Sequence, residues 1–191
     1  MQNLPRLSVI TGNGKGKTTT AMGRAVLAAA SGERVLVVQF LKGTGYTGEL
    51  EAAKHWQGQL RIRQFGAGCF QSAEIAAGVA ECTRCGTCFR ENRRPENRFA
   101  QQAFECAKEA AASAEWDVLV LDEISHSVNK GLLDLAQVTE WIHGITGQVR
   151  LILTGRNMPP ELVALSEETT ECVAVKHPIT QGIFGRRGSE Y

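Results

Sequence analysis

Over residues 10–19 the chain reads Ile-Thr-Gly-Asn-Gly-Lys-Gly-Lys-Thr-Thr. A short apolar run at 7–10 precedes this stretch and predicts a buried strand, and the apolar residues that follow have helical spacing over 18–31. A glycine-rich turn between a strand and a helix is the setting of a phosphate-binding Walker A loop. Its glycines let backbone N–H groups converge on phosphate oxygens, and the helix N-terminus adds positive potential there. The stretch therefore predicts an α/β fold that binds a nucleotide.

Each residue type in this loop suits a role in nucleotide binding. We expect Lys17 to bring its charge to the phosphates and the Thr18 hydroxyl to bind Mg²⁺. The motif usually begins with a glycine, but Thr11 stands at that position. A glycine-rich turn with incidental lysines is the alternative interpretation, and the strand–loop–helix context argues against it. The predicted nucleotide contacts are Gly12, Asn13, Gly14, Lys15, Gly16, Lys17, Thr18 and Thr19.

A second segment supplies carboxylates to the same site. The apolar residues 118–121 predict another buried strand, which is followed by Asp122 and Glu123. This is the pattern of a Walker B strand, in which a carboxylate holds Mg²⁺ directly or through a water molecule. An apolar strand ending in two acids is common by itself, so the interpretation depends on the loop at 10–19. Together the two segments predict a site for MgATP.

The rest of the chain alternates strands and helices. Strands are predicted over 34–40, 60–65, 149–154 and 171–175, and helices over 96–114 and 135–143. Such alternation predicts a mostly parallel sheet with helices on both faces. The 191 residues suit a single domain over 1–191, with a cysteine-containing loop insertion at about 66–95.

Composition argues against several kinds of partner. The formal net charge is +1 and aromatic residues make up 6% of the chain, so neither backbone phosphates nor base stacking favour a nucleic acid. The sequence shows no signal peptide and no apolar run long enough to cross a membrane. Six cysteines without an export signal suit a reducing compartment. We therefore expect a cytoplasmic protein that binds neither nucleic acid nor membrane.

Several motifs, spread along nearly the whole chain, resemble those of the P-loop ATP:corrinoid adenosyltransferases, which make adenosylcobalamin. They are TGNGKGKTT at 11–19, VQFLKG at 38–43, LDEI at 121–124, LTGR at 153–156, VKH at 175–177 and GIFGRRGSEY at 182–191. The resemblance implies a P-loop NTPase core of the RecA type. It also implies that Co(I) of a reduced corrinoid attacks the 5′ carbon of the ATP ribose and that triphosphate leaves.

The resemblance further implies which residues serve this reaction. A Co(I) nucleophile needs no general base, so the protein aligns the reactants and stabilises charge on the triphosphate. Lys17 would act in that stabilisation, with Glu123 as the closer metal contact and Asp122 as its support. Loops at 42–48 and 66–71 would cover the corrin face. Further substrate contacts are expected from Lys42, Gly43, Arg156, His177 and Arg187.

The chain departs from this family near both substrates. Many relatives carry a Phe and a Trp that help displace the lower base of the corrinoid, whereas residues 69–71 read Cys-Phe-Gln and leave only Phe70 for that catalytic part. An arginine that relatives use near the ribose is replaced by Leu27, and Arg24, one turn earlier, is the candidate substitute. The family also suggests a homodimer and a flavoprotein or other reductase as partner.

A Cys-x2-Cys-x2-Cys motif, formed by Cys82, Cys85 and Cys88, is not a usual part of the family pattern. Its spacing lets one tight turn aim three thiols at one metal. Three interpretations stay open, which are a structural Zn²⁺, an iron–sulfur cluster and free thiols. The candidates for a fourth ligand are Cys69, His55 and Cys106. Cys106 falls on the apolar face of its predicted helix, which favours a place in the core.

Two other functions share a phosphate-binding loop. One is a nucleoside kinase with a zinc-bound insertion, but such kinases usually have two separate cysteine pairs and need a carboxylate base near the sugar hydroxyl. The other is a nucleotide-switched metal-delivery ATPase, and these proteins often carry an additional lysine where Gly12 stands. We expect the adenosyltransferase reaction, with ATP, Mg²⁺ and a corrinoid as its small molecules.

Overall fold

Strands and helices alternate along the part of the chain that the computed structural model describes, residues 4–43, 47–56, 58–82, 85–145 and 149–176. The strands are β1 (Leu7–Thr11), β2 (Val35–Phe40), β3 (Leu60–Phe65), β4 (Val118–Asp122), β5 (Arg150–Thr154) and β6 (Glu168–Glu171). The helices are α1 (Lys17–Ala30), α2 (Gly48–Ala53), α3 (Ser72–Ala77), α4 (Thr87–Asn92), α5 (Phe99–Ala112), α6 (Ile124–Asn129), α7 (Leu135–Ile145) and α8 (Pro160–Leu165). None of the helices in these ranges is both long enough and apolar enough to cross a membrane.

The strands form one sheet in the order β3-β2-β4-β5-β1-β6. Each neighbouring pair is parallel, so the loops that follow the strands all lie along one edge. Only β5 separates β1 from β4, and the turns after these two strands therefore face each other across it. Ligands of open parallel sheets bind outside the carboxyl ends of the strands. The topology confirms the predicted α/β fold with a mostly parallel sheet.

Side chains of the central strands alternate between two helical layers. In β4, Val118 and Val120 pack with α1, whereas Leu119 and Leu121 pack with the layer formed by α5, α6, α7 and α8. Successive strand residues point to opposite faces, and here both faces are covered, which explains why every residue of this run is apolar. The prediction of helices on both faces is confirmed.

The last strand lies earlier in the chain than the sequence predicts. It spans Glu168–Glu171 rather than 171–175, and it reads Glu-Thr-Thr-Glu. The strand forms the edge of the sheet and pairs with β1 on one side, so it does not need the apolar residues of a central strand. The apolar residues that suggested the later position, Val173 and Val175, are exposed.

The segment at 66–95 contains two short helices, α3 and α4, where the sequence predicts a loop. The helix that follows begins at Phe99 and not at 96. Residues Pro95–Asn97 form a 3₁₀ turn, and Arg98 has a φ of +53°, which interrupts the helical path before α5.

Candidate active site

The turn between β1 and α1 is held in shape by the backbone that follows β6. The N–H of Gly14 donates to the carbonyl of Cys172 (2.7 Å), and the N–H of Cys172 donates to the carbonyl of Thr11 (2.8 Å). A Cβ on Gly12 would lie 2.4 Å from the Cys172 oxygen, and one on Gly14 would lie 2.7 Å from it. Gly12 also has a φ of +102°, which other residues rarely adopt. Both glycines are therefore required by the local backbone.

Thr11 occupies the place of the usual first glycine, and its side chain has a structural role. The hydroxyl donates to the carbonyl of Gly155 (2.9 Å) and accepts from the N–H of Met158 (3.3 Å). The turn after β1 is thereby tied to the loop after β5. This departure from the motif adds a link between two loops at the edge of the sheet.

Lys17 begins α1 with its side chain folded back into the turn. The residue is only 7% exposed, and its Nζ donates to the carbonyl of Gly14 (2.7 Å). Burial and the positive charge of Arg156 lower the pKa of Lys17. The preceding Gly16 has a φ of +111° and open space where a Cβ would be, so its conformation rather than its size is needed. The ammonium group therefore lies inside the turn, where a phosphate would enter.

Asp122 ends β4 as a fully buried carboxylate with hydrogen bonds to both oxygens. Its Oδ1 accepts from the hydroxyls of Thr18 (2.8 Å) and Thr154 (2.7 Å). Its Oδ2 accepts from Nζ of Lys42 (2.8 Å) and Nε2 of Gln39 (3.0 Å). Burial alone would raise the pKa of Asp122, but Lys42 and the hydroxyl donors hold it below its ordinary value. Asp122 is therefore a fixed anion that joins α1 to β2 and β5.

The neighbouring carboxylate, Glu123, has a different environment. Its φ is +68°, a strained conformation for a residue with a side chain, and such strain clusters at functional sites. Its N–H donates to the hydroxyl of Thr154 (3.0 Å). Among the residues the structure describes, no hydrogen-bond donor is paired with its carboxylate. Burial and the charge of Asp122 raise the pKa of Glu123, and the charges of Lys42, Lys17 and Arg156 offset this only in part.

These side chains fit a divalent cation bound beside a nucleotide. Thr18 and Asp122 are in direct contact, and Glu123 follows Asp122 in the chain. Hydroxyl and carboxylate oxygens are the ligands that Mg²⁺ prefers. The pKa of Glu123 is raised first by burial and then by the charge of Asp122, and a bound cation would stabilise the ionised form against both. Asp122 already accepts bonds on both oxygens, so Glu123 is the more available ligand.

Lys42 lies at these carboxylates, within a network at the end of β2. Its Nζ is 2.8 Å from Oδ2 of Asp122 and 3.4 Å from Oε1 of Glu49. Burial opposes the charge of Lys42, but the two carboxylates hold its pKa above the ordinary value. Gln39 donates to Glu49 (3.1 Å) and accepts from Gln64 (2.8 Å). The sequence pattern did not predict Gln39, Glu49 or Gln64, although a glutamine inside the apolar β2 was an available signal.

Comparison with known proteins assigns the whole chain, including this site, to one family. The profile of the family described as ATP:corrinoid adenosyltransferase BtuR/CobO/CobP matches residues 4–191. The chain belongs to this family. The match confirms the resemblance that the motifs predicted, and it does not support the nucleoside kinase or the metal-delivery ATPase. The family's activity, ATP-dependent adenosylation of corrinoids, makes this chain a transferase.

Individual relatives cover most of the adenosyltransferase chain. The corrinoid adenosyltransferase of Escherichia coli K12 is 30% identical over 183 residues, which are 96% of this chain and 84% of the relative. The corrinoid adenosyltransferase CobA of Salmonella typhimurium LT2 is also 30% identical over 183 residues, with the same coverage of both chains. The corrinoid adenosyltransferase of Pseudomonas aeruginosa PAO1 is 28% identical over 185 residues, 97% of this chain and 83% of the relative.

Two arginines are predicted to contact substrates, and the structure places them at opposite ends of the parallel strands. Arg156 follows β5, and its charge acts on both Lys17 and Glu123, which places it beside the phosphate turn. Arg24 instead binds the carboxylate of Glu168 with both terminal nitrogens (2.5 and 3.2 Å). Glu168 begins β6, at the edge opposite the turn. The structure therefore does not bring Arg24 to the nucleotide site.

The other predicted nucleotide contacts are distributed around the turn. Lys15 and Thr19 are exposed, and Oδ1 of Asn13 accepts from the N–H of Ala174 (3.3 Å). The predicted contacts His177 and Arg187 lie outside the described residues.

The loops after β2 and β3 touch through glycines. A Cβ on Gly43 would lie 2.0 Å from the carbonyl oxygen of Gly66, and one on Gly68 would lie 2.8 Å from that of Gly43. Only residues without a side chain permit this approach, so the two loops form one surface. Phe70, the predicted corrin contact, follows on this surface and is 75% exposed.

A second phenylalanine shares a cavity with Glu123. Phe89 of α4 lines a cavity of about 200 Å³ together with Lys42 and Glu123, and 67% of its surface is exposed. The sequence pattern did not predict Phe89 as a site residue, because it lies next to the cysteine motif and far along the chain from the other motifs. Its place in this cavity makes it a candidate contact for the corrinoid.

The cysteine motif occupies α4 and the residues before it. Cys82 and Cys85 are exposed, Cys69 and Cys88 are half-buried, and none of these cysteines forms a disulfide. Burial raises the pKa of Cys88, and Cys69, Cys82 and Cys85 are near enough to raise it further. Within the described ranges, no three histidine, cysteine, aspartate or glutamate side chains are arranged to hold a metal ion. Cys106 is buried in the core, as its helical face predicted.

Proposed function

We propose that this chain transfers the 5′-deoxyadenosyl group of ATP to the Co(I) centre of a reduced corrinoid, in the synthesis or salvage of adenosylcobalamin. The observation that carries the proposal is the contact of Thr18 with Asp122 beside the buried Lys17, in a chain of the adenosyltransferase family. In the reaction, the electron pair of Co(I) forms a bond to the ribose 5′ carbon. The carbon–oxygen bond breaks, triphosphate leaves with its electrons, and cobalt is formally oxidised to Co(III).

The residues of the turn suit the departure of triphosphate. Lys17 is held inside the turn by the carbonyl of Gly14, and an entering phosphate would exchange that neutral acceptor for an anionic one. A charge fixed where negative charge accumulates lowers the barrier without reorganisation. Because Co(I) brings its own electron pair, no residue has to remove a proton. Asp122 can therefore serve as a structural anion.

Mg²⁺ bound with ATP would supply further positive charge to the phosphates. We assign its protein contacts to Thr18 and Glu123. Asp122 would support them through its hydrogen bond to Thr18 (2.8 Å). The charge of Arg156 acts on Glu123, and this arginine would add a further positive charge beside the triphosphate.

The corrinoid would lie over the loops after β2 and β3. This assignment is supported by their position at the carboxyl edge of the sheet and by the exposed rings of Phe70 and Phe89. Phe89 shares a cavity with Glu123, so a ring stacked there would be close to the nucleotide. Lys42, Gly43, His177 and Arg187 are proposed as substrate contacts from the resemblance to the family. Lys42 would act mainly by holding Asp122.

The experiment that tests this function uses the purified protein, MgATP and chemically reduced cobalamin. We expect a light-sensitive alkylcobalamin spectrum and one triphosphate for each adenosylated corrinoid. The control omits the reductant, which leaves cobalt unable to attack carbon. Formation of a phosphorylated nucleoside, or of ADP without an alkylated corrinoid, would contradict the proposal. Running the assay with a corrinoid lacking the lower base determines whether complete cobalamin or a precursor is preferred.

We also propose that the thiols of Cys82, Cys85 and Cys88 bind Zn²⁺ or an iron–sulfur cluster, with Cys69 as fourth ligand. The proposal is supported by the sequence spacing and by the nearness of Cys69, Cys82 and Cys85 to Cys88. Elemental analysis of anaerobically purified protein should find zinc or iron, and Cys85→Ser should lose it while Cys172→Ser retains it. The absence of both metals from the wild-type protein would exclude the site.

A cytoplasmic location suits a chain whose six cysteines form no disulfide. Low-valent cobalt requires a reductase, for which a flavoprotein is the expected class. We propose a homodimer and a single domain that includes the segment 66–95. Light scattering measures the first. For the second, limited proteolysis should release no stable fragment, because β3 and α5 on either side of the segment pack on the same sheet.

A further inference from the structure

The side chain of Asn92 joins the loops that follow β2 and β3. Asn92 is the last residue of α4 and is only 8% exposed. Its Oδ1 accepts from the N–H of Ala67 (2.6 Å), and its Nδ2 donates to the carbonyl of Leu41 (2.6 Å). These partners are 25 and 51 positions away in the chain. One amide group therefore fixes two loops to each other and to α4.

Both bonded loops have backbone geometry that leaves little freedom. Leu41 has a φ of +55°, which is uncommon for a residue with a side chain and needs support from its surroundings. A Cβ on Gly66 would lie 2.6 Å from the nitrogen of Lys42 and 2.7 Å from Oδ1 of Asn92. The Asn92 amide thus sits where both backbones meet. Without it, the Leu41 carbonyl and the Ala67 N–H would lose their partner.

A series of neighbouring residues connects Asn92 with the nucleotide site. Leu41 immediately precedes Lys42, whose Nζ binds Asp122 (2.8 Å), and Asp122 binds the hydroxyl of Thr18 (2.8 Å). On its other side, Asn92 lines the cavity that holds Phe89 and Glu123. The amide is therefore placed between the carboxylates and the surface assigned to the corrinoid.

We propose that Asn92 is a positioning residue for the transfer, which sets the corrinoid-covering loops at a fixed distance from the bound ATP. The inference rests on the proposed function, because it assigns these loops to the corrinoid. Asn92 touches neither reacting atom. It acts through Leu41 and Ala67, and a displacement of these loops changes the alignment of cobalt with the ribose carbon. The rate of transfer depends on this alignment, so it is sensitive to such a displacement.

The decisive variant is Asn92→Ala, compared with Asn97→Ala as a matched control. Asn97 lies in the same segment, and among the described residues its amide donates to the carbonyl of Glu91 (2.8 Å) and to the carboxylate of the same residue (3.2 Å). We expect Asn92→Ala to lower kcat/KM for the corrinoid by about 10- to 100-fold, while calorimetry finds the ATP affinity unchanged. Asn97→Ala should keep both values. Asn92→Asp, which keeps the acceptor for Ala67 but sets a carboxylate oxygen against the Leu41 carbonyl, should also lower kcat/KM for the corrinoid and serves if the alanine variant does not fold.

Hydrogen–deuterium exchange tests the same inference without turnover. Exchange should rise at residues 41–43 and 66–68 in Asn92→Ala and stay unchanged in Asn97→Ala. Unchanged exchange in both variants would overturn the proposal, and so would equal losses of ATP and corrinoid affinity, which indicate general damage. A wild-type protein that makes no alkylated corrinoid would refute the proposed function instead, and the exchange result would still decide whether Asn92 holds the loops.

Discussion

The hydroxyl of Thr18 donates a 2.8 Å hydrogen bond to Oδ1 of Asp122, although 104 positions separate the two residues in the chain. The contact is possible because β5 alone lies between β1 and β4, so the turn after one strand meets the end of the other. Donors to both oxygens favour the ionised form of Asp122, and the charge of Lys42 on Oδ2 contributes most among them. The phosphate turn and the carboxylates therefore form one electrostatic unit.

This relationship predicts a large effect of Asp122→Asn on stability. The substitution removes the buried charge that Lys42 neutralises and places an amide among hydrogen-bond donors. We expect the free energy of unfolding, measured by urea denaturation, to fall by about 3 kcal/mol. The control Glu51→Gln affects an exposed ion pair with Lys54 and should leave the free energy of unfolding nearly unchanged. Combining Asp122→Asn with Lys42→Met should cost less than the sum of the single changes, and strict additivity would argue against the pairing.

Lys17→Ala tests the charge inside the turn. Removing the ammonium group should reduce kcat by at least about 100-fold, because a fixed charge opposite the departing triphosphate is lost. The folded state should persist, since the Nζ bond to Gly14 lies within a local turn. Lys54→Ala, at a lysine that is 65% exposed, provides the control. Near-normal turnover of Lys17→Ala at saturating ATP would remove the role assigned to this residue.

Gly12→Ala and Gly23→Ala separate two kinds of glycine. A methyl group on Gly12 would overlap the Cys172 carbonyl at a φ of +102°, so we expect the turn to distort and turnover to fall by about 100-fold or more. Gly23 lies on the exposed side of α1 with nothing near its position, and alanine there should raise the free energy of unfolding by about 0.8 kcal/mol. The two variants need one activity assay and one denaturation curve each. Equal activities would show that the close approach is not maintained in solution.

The parts of the fold that the sequence predicts are those whose cause is local. Residues 35–38 of β2 and 118–121 of β4 are apolar without interruption because helices cover both faces of the sheet. The strand Glu168–Glu171 lacks this signal, since half of its residues face solvent and it bonds to β1 on one side. The position of this strand is set by its backbone pairing with β1 and not by an apolar pattern in its own sequence.

The same distinction applies to the site. Lys17 and Thr18 belong to one short motif and Asp122 to another, and these two motifs together predict that the residues meet in one nucleotide site. Asn92 belongs to no motif, and its partners are set by how α4 packs over two distant loops. Arg24 is predicted near the ribose because it lies one turn before Leu27, where relatives carry an arginine. Its ion pair with Glu168 instead depends on β6 lying next to β1. Contacts between distant elements cannot be read from local spacing.

Asp117 and Arg34 predict a pH dependence that leaves the site untouched. Hydrogen bonds from the Arg34 guanidinium and backbone lower the pKa of Asp117 below its ordinary value of 3.8. A depressed pKa means that the pair contributes stability above pH 3.8 and loses it as the pH falls through the lower, folded-state pKa. Asp117→Asn should therefore lower Tm at neutral pH, with a difference from wild type that shrinks in strong acid. A difference that is constant with pH would assign the effect to packing.

Glu123→Gln should stabilise the free protein while impairing transfer. Burial and Asp122 raise the pKa of Glu123, so its ionised form is disfavoured in the folded state at neutral pH, and an uncharged amide removes that cost. We expect the free energy of unfolding to rise by about 1 kcal/mol without ligands.

The ligand dependence of Glu123→Gln should have the opposite sign. MgATP should raise Tm of the wild type more than that of the variant, because only the carboxylate compensates the cation. Glu105→Gln, at an exposed partner of Lys108, should follow the wild type in both conditions. Thermal unfolding with and without MgATP measures both effects. A variant that is less stable alone, or that gains as much from MgATP as the wild type, would show that Glu123 is held by contacts within the protein and is not kept open for the cation.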